Sequence, residues 1–548
     1  MKSVMTKDFS RIPQVDINRS KFNRSHGLKT AFNAGYLVPI EVQEVYPGDE
    51  VDYNSRALIR LAPCVTVPMD NVFLDMQAFF VPSRLLWTNW AKMLGERVNP
   101  NDSIDFLVPV INSGEEGFAE ESLADYFGIP TKVPNLDVNC LPFRAYQKIW
   151  DDWYRDENLQ NSMIQSSDDL GDTGGEVEWT KLQRRGKRHD YFTSALPWPQ
   201  REEGVNLPLG TFAPVVGNGN VLGMTANGTD YYRLANNPTL VAAEDLGGDL
   251  SIGVTTPTTT TNRVNHSGLG VVTDPDKSGL VADLSEATAA TINSLRVAFQ
   301  TQVFLEQSAR SGTRLVEIIR GFFGVVCPDA RLQRSEYLGG SSDMISFNPV
   351  AQTSATIEGV ETAQGNLTSN PKGFGSLRFK KAFTEHGFII ILANVRADLN
   401  YQQGLDRMWS RRSRFDFMWP VFSRLGEQEV KNKEIFAQGK DVVDENGNII
   451  DDLPFGYQER YAELRYAPSI ITGKMRSNAS QSLDVWHLAQ QFEELPVLNA
   501  NFIEDNPPLD RIIAVTDEPE VLMDCYHECF WTRPLPTYGI PAGLPSHF

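Results

Sequence analysis

The sequence contains little cysteine and no long hydrophobic run. Among its 548 residues there are five cysteines, Cys64, Cys140, Cys327, Cys525 and Cys529. This small, odd and scattered set excludes a disulfide framework and predicts a reducing compartment. The longest apolar run, residues 388–393, is too short to span a bilayer and is expected to form a buried strand. Because no apolar leader follows the N-terminus, we expect a protein folded in the cytoplasm, without membrane insertion.

Recognisable catalytic and metal-binding motifs are also missing. The sequence has no GxGxxG or HExxH pattern, and Gly473-Lys474 lacks the upstream glycine of a phosphate-binding loop. Residues 274–279 begin like a calcium-binding loop, but Ser285 stands where a bidentate glutamate is required. Cys525 and Cys529 resemble half a metal site without a second ligand pair, so we expect buried thiols. The sequence therefore predicts no enzyme activity, no cofactor and no bound metal.

Positive charge is scarce overall and concentrated locally. The chain has 50 Lys and Arg against 70 Asp and Glu, a formal net charge of −20. Such a chain is not suited to coating nucleic acid, because phosphate neutralisation requires clustered cations. Basic residues cluster in residues 181–188 and 407–414. Aromatic residues accompany both clusters, namely Tyr191, Phe192 and Trp198 in the first and Trp409, Phe415, Phe417 and Trp419 in the second.

Two functions are compatible with these basic and aromatic segments. Arginine combined with aromatic rings binds single-stranded DNA through phosphate pairing and base stacking. The same residue types are selected at protein interfaces, and the abundant acidic residues offer internal partners. We favour a subunit interface or internal ion pairing over DNA contact. The candidate residues are Arg185, Lys187, Arg188, Arg407, Trp409, Arg411, Arg412 and Arg414.

Strand patterns occur early, in the middle and late in the chain. Alternating or apolar segments predict strands at residues 36–45, 57–67, 72–81, 316–326, 377–383, 387–395, 511–516 and 521–531. Helices are predicted near residues 83–93, 143–156 and 285–311. The last helix carries a stripe of apolar side chains that should face a core, namely Ile292, Leu295, Phe299, Val303 and Phe304. This order predicts a mainly β fold, an eight-stranded antiparallel jelly-roll β-sandwich with long helix- and loop-containing insertions.

Composition predicts how these elements are grouped. We expect a basic arm at residues 1–33 and a sandwich domain in two parts, at residues 34–202 and 284–532. An insertion at residues 203–283 should separate the two parts, and an extended tail should follow at residues 533–548. The insertion is rich in Gly, Asn and Thr, and a loop of this length is usually functional or mobile. The tail is interrupted by prolines, which favours an extended chain over a packed one.

A series of motifs resembles a known family. The run from Arg185 to Gln200, with its Tyr-Phe pair and Pro-Trp-Pro step, resembles a signature of the major capsid proteins of the Microviridae, gokushovirus branch. Further segments resemble the same family in family order, at residues 24–30, 32–35, 328–333, 336–340, 396–404, 408–412, 419–422, 425–428 and 538–541. The resemblance covers nearly the whole chain, whereas residues 203–283 carry no such motif.

The resemblance implies a subunit of a T=1 icosahedral shell that associates with copies of itself around circular single-stranded DNA. It implies a small basic DNA-binding protein inside, and a spike at the three-fold axes that contacts a host receptor. The candidate host-facing residues are Asn227, Gly228, Thr258, Thr259, Thr260 and Thr261. Two alternatives stay open: a β-sandwich carbohydrate-binding protein or glycosidase, and a free single-stranded DNA-binding protein, which the acidic charge disfavours.

Overall fold

The computed structural model describes residues 17–163, 181–202, 292–310, 315–324, 333–354 and 364–538, with five short strands between residues 215 and 282. The chain divides into two compact units, one comprising Met1–Pro199 with Ser311–Phe548 and the other Gln200–Arg310. Among the helices in these ranges, none is both long enough and apolar enough to cross a membrane.

One antiparallel sheet of nine strands forms the basis of the first unit. The strands are β1 Ser20–Asn23, β2 His26–Phe32, β3 Val38–Val45, β4 Glu50–Leu61, β5 Val72–Pro82, β6 Glu336–Ala351, β7 Leu367–Ala382, β8 Gly387–Ala397 and β9 Val521–Arg533. Their hydrogen-bonded order is β1/β2, β9, β4, β7, β6, β5, β8, β3. Because β1 and β2 pair with successive parts of β9, the sheet is eight strands wide. The prediction of a mainly β antiparallel fold is confirmed.

The sheet curls so that its two halves face each other across a core. Strand β6 links the halves, because residues 336–345 pair with β5 and residues 346–351 pair with β7. Alternate side chains of both halves point inward, as the period of a strand requires. They form one buried cluster, with members such as Ile59, Met523, Leu74 and Ile391. Two facing halves around a shared core are the arrangement of a β-sandwich.

A helical layer covers the outer face of β5 and β8. The main helix is α1, Leu141–Trp153, whose buried Tyr146, Ile149 and Trp150 pack with Phe79 and Ile390 in a second cluster. Strand β8 is therefore buried on both faces, which explains its unbroken apolar run. The predicted helix near residues 143–156 is confirmed. In place of the helix predicted near residues 83–93 there is a 3₁₀ turn, Ser83–Leu85, and a short helix, Trp90–Met93.

Residues between β8 and β9 fold into short elements around a third cluster. Its buried members include Tyr191, Phe192, Tyr401, Phe455 and Phe502. Further short strands and helices of the first unit are Val110–Asn112, Leu123–Tyr126, Asp137–Asn139, Asn400–Tyr401, Glu427–Lys431, Asn432–Ile435, Pro454–Glu459, Ser469–Ile470 and Ala500–Ile503.

The second unit contains helix α2, Ile292–Arg310, and two small strand groups. Val215–Gly217 pairs with Leu280–Ala282, and Gly223–Thr225 pairs with Tyr232–Arg233 and Gly270–Val271. The expectation that the α2 stripe faces a core is wrong for three of its residues, because the exposed side chains include Phe299, Val303 and Phe304. The helix instead buries Ala298, Leu305 and Ala309, which lie on its other side.

Three further segments differ from the sequence predictions. Residues 316–326 were expected to be a strand, but α3, Leu315–Phe323, is a helix, because its apolar residues recur every three to four positions. In residues 511–516, a 3₁₀ turn at Leu509–Arg511 leaves only a single bridge from Ile513 to Cys64. Residues 20–32 of the expected arm contain strands β1 and β2, because their backbones pair with β9.

Candidate assembly surfaces

The first basic–aromatic segment, residues 184–192, passes between two other parts of the first unit. The Arg185 N–H donates to the Gly35 carbonyl at 2.9 Å, and the Arg185 carbonyl accepts from the Asp505 N–H at 2.8 Å. Glycine is required at this crossing, because Gly35 has φ of 81° and a Cβ there would lie 2.2 Å from the Asp505 carbonyl oxygen. The segment is thus fixed along its backbone.

Two arginines converge on one buried carboxylate beneath this segment. Arg185 Nη1 lies 2.6 Å and Arg396 Nε lies 2.7 Å from the same oxygen of Asp75, whose side chain is 3% exposed. Asp75 is on β5, so the pair of ion contacts ties the segment to the sheet. Farther along, Arg188 contacts Asp398 at 3.1 Å in a more exposed position. These cations have carboxylate partners within the chain.

Lys187 is buried, and its ammonium is held by neutral acceptors. Its Nζ donates to the Phe502 carbonyl at 2.6 Å and to Gln490 Oε1 at 3.0 Å. Burial lowers the pKa of Lys187 to about 8, an effect that nearby Asp505 and Asp190 oppose. Burial likewise raises the pKa of Asp505 to about 6, and the surrounding cations, Lys187 first, oppose that shift. The lysine is therefore enclosed by its own chain.

The aromatic half of the segment anchors the third cluster. Tyr191 and Phe192 are both buried there, with ring centroids 5.1 Å apart. The Tyr191 hydroxyl donates to Glu434 at 2.8 Å, and the Tyr401 hydroxyl donates to Asp190 at 2.6 Å. The aromatic side chains therefore serve folding within the subunit.

The second basic–aromatic segment, residues 407–425, begins with paired arginines. Arg407 Nη1 lies 3.0 Å from Glu434 Oε1, and Arg411 Nη2 lies 3.0 Å from Glu463 Oε1. Burial raises the pKa of Glu434, and the Arg407 charge opposes that shift. Both arginines consequently have internal partners, as in the first segment.

The remainder of the second segment presents large apolar side chains to solvent. Trp409 is 70% exposed, and Val421 is 84% exposed. We call these side chains the aromatic surface; they are Met408, Trp409, Phe415, Phe417, Met418, Trp419, Val421 and Leu425. Arg412 and Arg414 are exposed among them. A surface on which many apolar side chains are exposed together with arginines is characteristic of an interaction site.

The structure separates the candidate residues into two groups. Arg185, Lys187, Arg188, Arg407 and Arg411 have partners within the chain, whereas Trp409, Arg412 and Arg414 are exposed. A subunit interface or a DNA contact stays a prediction for all eight. The host-facing candidates at residues 227, 228 and 258–261 lie outside the described residues, as does the calcium-loop-like segment at residues 274–279.

A histidine–carboxylate cluster, which the sequence analysis did not identify, lies where the two outer edges of the sheet meet. His26 Nε2 on β2 is 2.9 Å from Glu41 Oε2 on β3, and His527 Nε2 on β9 is 3.7 Å from the same oxygen. Within the described part of the chain it is the one group of this kind with metal-ligand spacing. The available signal was the alternation of β9, which places His527 on the face of Cys525 and Cys529.

The described cysteines of β9 are free and buried, in line with the expected buried thiols. Burial raises the pKa of Cys525 to about 12 and that of Cys529 to about 11. Both side chains therefore carry protons at neutral pH, and a thiol that keeps its proton is a poor metal ligand. The cluster beside them consists of nitrogen and carboxylate oxygen atoms alone.

A curled β-sandwich with an exposed surface of apolar and arginine side chains is typical of proteins that associate with other subunits. A family model described as "Capsid protein (F protein)" matches residues 10–543, so the chain belongs to this capsid protein family. Capsid protein VP1 of Bdellovibrio phage phiMH2K is 44% identical, over 97% of this chain and 97% of its own length.

Two further relatives come from other hosts. Capsid protein VP1 of Chlamydia phage 1 is 42% identical, with 99% of this chain and 98% of the relative covered. Capsid protein VP1 of Spiroplasma virus 4 is 37% identical, with 99% of each chain covered. The resemblance to the gokushovirus branch of the Microviridae is therefore confirmed, and the chain is a major capsid protein.

Proposed function

We propose that this chain assembles with copies of itself into a small T=1 icosahedral shell that encloses a circular single-stranded DNA genome. The aromatic surface is the observation that carries this proposal. Trp409 and its apolar neighbours are exposed in the single chain, and burying them against a second copy would remove them from water. A closed shell requires such heterologous contacts to be repeated by symmetry.

Purified full-length protein tests the proposal directly. Electron microscopy and sedimentation should reveal closed particles of uniform size, and DNA inside particles isolated from producing cells should resist added nuclease. Monomers under every condition tried, with no particles in producing cells, would contradict self-assembly. Particles that form but never contain single-stranded DNA would contradict only the genome part of the proposal.

The charges of the chain support a separate basic partner inside the shell. The net charge is −20, and five of the candidate cations are already paired or enclosed within the fold. DNA phosphates require clustered cations or counterions for neutralisation. We therefore expect purified particles to contain a small, strongly basic polypeptide. DNA-filled particles composed of this chain alone would contradict that expectation.

We assign host attachment to residues 203–283. This segment is rich in Gly, Asn and Thr, and such composition suits an exposed binding loop. Shortening residues 205–280 should leave particle assembly intact but abolish infection of the host. Loss of assembly in that variant would contradict the assignment. The capsid relatives favour this structural role over the carbohydrate-active and free DNA-binding alternatives.

A further inference from the structure

The protonation of His26 is constrained by its backbone contact. Its Nδ1 lies 2.9 Å from the Arg24 carbonyl oxygen, which can only accept a hydrogen bond, so Nδ1 carries a proton. In the neutral ring, Nε2 is then an unprotonated acceptor. This nitrogen nevertheless faces Glu41 Oε2 at 2.9 Å. Two acceptors at that distance require either a proton or a cation between them.

His527 brings a second imidazole to the same place. Its Nδ1 contacts the hydroxyl groups of Tyr53 at 2.5 Å and Ser55 at 3.2 Å. Its Nε2 is buried and lies 3.7 Å from Glu41 Oε2. When Nδ1 of an imidazole donates its proton to a polar oxygen, Nε2 offers its lone pair to a metal, and both hydroxyl oxygens can accept such a bond.

The third group of the cluster, Glu41, lies in the interior, because its side chain is only 3% exposed. A buried carboxylate is costly unless a positively charged group lies beside it. A cation would satisfy all three groups together, because the buried carboxylate would gain a full opposite charge.

We propose that His26 Nε2, Glu41 Oε2 and His527 Nε2 bind a divalent transition-metal ion of the zinc type. Zinc takes nitrogen and carboxylate ligands at about 2.0–2.2 Å, so two ligands of one ion lie roughly 3–4 Å apart. The separations of 2.9 and 3.7 Å from the shared Glu41 oxygen match that spacing, and all three ligand atoms lie within 4.8 Å of one another.

The site has an entry path and a mechanical role. The His26 side chain is 42% exposed and borders a groove between β2 and β3, so an ion and a water ligand can enter from that side. The three ligands lie on β2, β3 and β9, which belong to the two opposite halves of the curled sheet. A bound ion would therefore join the two outer edges and stabilise the sandwich.

Zinc titration of the chelator-treated full-length chain tests the site. Metal analysis should give one more zinc equivalent in the wild type than in His26→Asn, and the wild-type melting temperature should rise with zinc and fall again with chelator. His189→Asn is the matched control, because His189 is an exposed histidine outside the cluster. It should keep both the zinc equivalent and the temperature shift. With Co²⁺ as the ion, a tetrahedral absorption band should be present in this control and lost in His26→Asn.

Glu41→Gln provides a second variant that should still fold. The glutamine amide can donate to His26 Nε2, so this variant should melt normally without zinc but show at least about a tenfold loss in zinc affinity. If His26→Asn and Glu41→Gln bind zinc within twofold of the wild type, the proposal is wrong. The same holds if the wild type binds no zinc at all, in which case a proton joins His26 and Glu41.

Discussion

The two basic–aromatic segments have similar compositions but opposite environments. In residues 184–192, Arg185 contacts the buried Asp75 and the aromatic rings pack in a core. In residues 407–425, Arg407 and Arg411 have internal carboxylate partners, whereas Trp409 and the following aromatic residues are exposed. Arginine and aromatic side chains therefore do not by themselves define a binding surface. Arginine side chains that lie beside carboxylates of neighbouring elements form internal ion pairs, and those without such neighbours stay exposed for other contacts.

The two segments also serve two different requirements of a capsid subunit, folding of the single chain and assembly with other copies. The first segment is fixed by contacts within one chain, so its residues are needed before any assembly takes place. The aromatic surface has few partners within the chain, so its residues matter when copies meet. Variants in the first segment should therefore alter folding, and variants in the second should alter assembly of folded subunits.

The largest effect is expected for Asp75→Ala. This change leaves Arg185 and Arg396 buried without their carboxylate, which should lower the free energy of unfolding by about 3–5 kcal/mol. Urea denaturation of the subunit measures the loss. Asp398→Ala is the control, because the Arg188–Asp398 pair is about one-third exposed and should contribute about 0–1 kcal/mol. Equal losses in both variants would show that the first segment is not fixed by Asp75.

The buried Lys187 should produce a pH dependence of stability. Its pKa is about 8 in the folded chain and near 10.5 when unfolded, so between these values the unfolded chain binds more protons. Stability contributed by this residue therefore rises with pH through that window, by about 2 kcal/mol between pH 7.5 and pH 10. The comparison is urea denaturation of the wild type and Lys187→Met. Parallel pH profiles for the two proteins would mean that Lys187 is accessible to solvent.

Trp409→Glu should prevent assembly without unfolding the subunit. Trp409 is 70% exposed, so the charge causes no loss of internal packing, but it would be buried at a subunit contact. The protein concentration required for particle formation should rise by about tenfold or more, as expected for the loss of an interface tryptophan. Sedimentation measures assembly, and the melting temperature verifies folding. Trp409→Phe keeps an aromatic ring and should still assemble. Normal particle formation by Trp409→Glu would show that this surface is not part of a subunit contact.

Much of the fold could be predicted from local patterns in the sequence. The alternation of β4, β5 and β9 and the apolar run of β8 identified strands because each pattern is complete within a few residues. Helix α3 was predicted as a strand because a short apolar run satisfies both periods. The exposure of Phe299 on α2 depends on what packs beside the helix, and a single sequence does not contain that information.

The functional residues were less predictable because their partners are distant in the chain. Arg185 and Asp75 are separated by 110 positions, so the sequence left internal pairing and DNA contact open for this arginine. The histidine–carboxylate cluster joins residues from both ends of the chain, since His527 lies close to Glu41 only after the sheet curls. The residue types were enough to identify the basic segments in the sequence. Which side chains contact each other depends on the strand register and the curvature of the sheet.

The smallest effect is expected for the double change Arg412→Gln and Arg414→Gln. Both guanidinium groups are exposed, so each contributes at most about 1 kcal/mol to a contact, and the contribution should weaken as salt rises. If they serve the subunit interface, the assembly concentration should rise a few-fold at low salt while the DNA content per particle is unchanged. The control is Arg411→Gln, which removes an internal partner of Glu463 and should lower the melting temperature instead. Normal assembly with reduced DNA content in the double variant would assign these two arginines to the genome rather than to the neighbouring subunit.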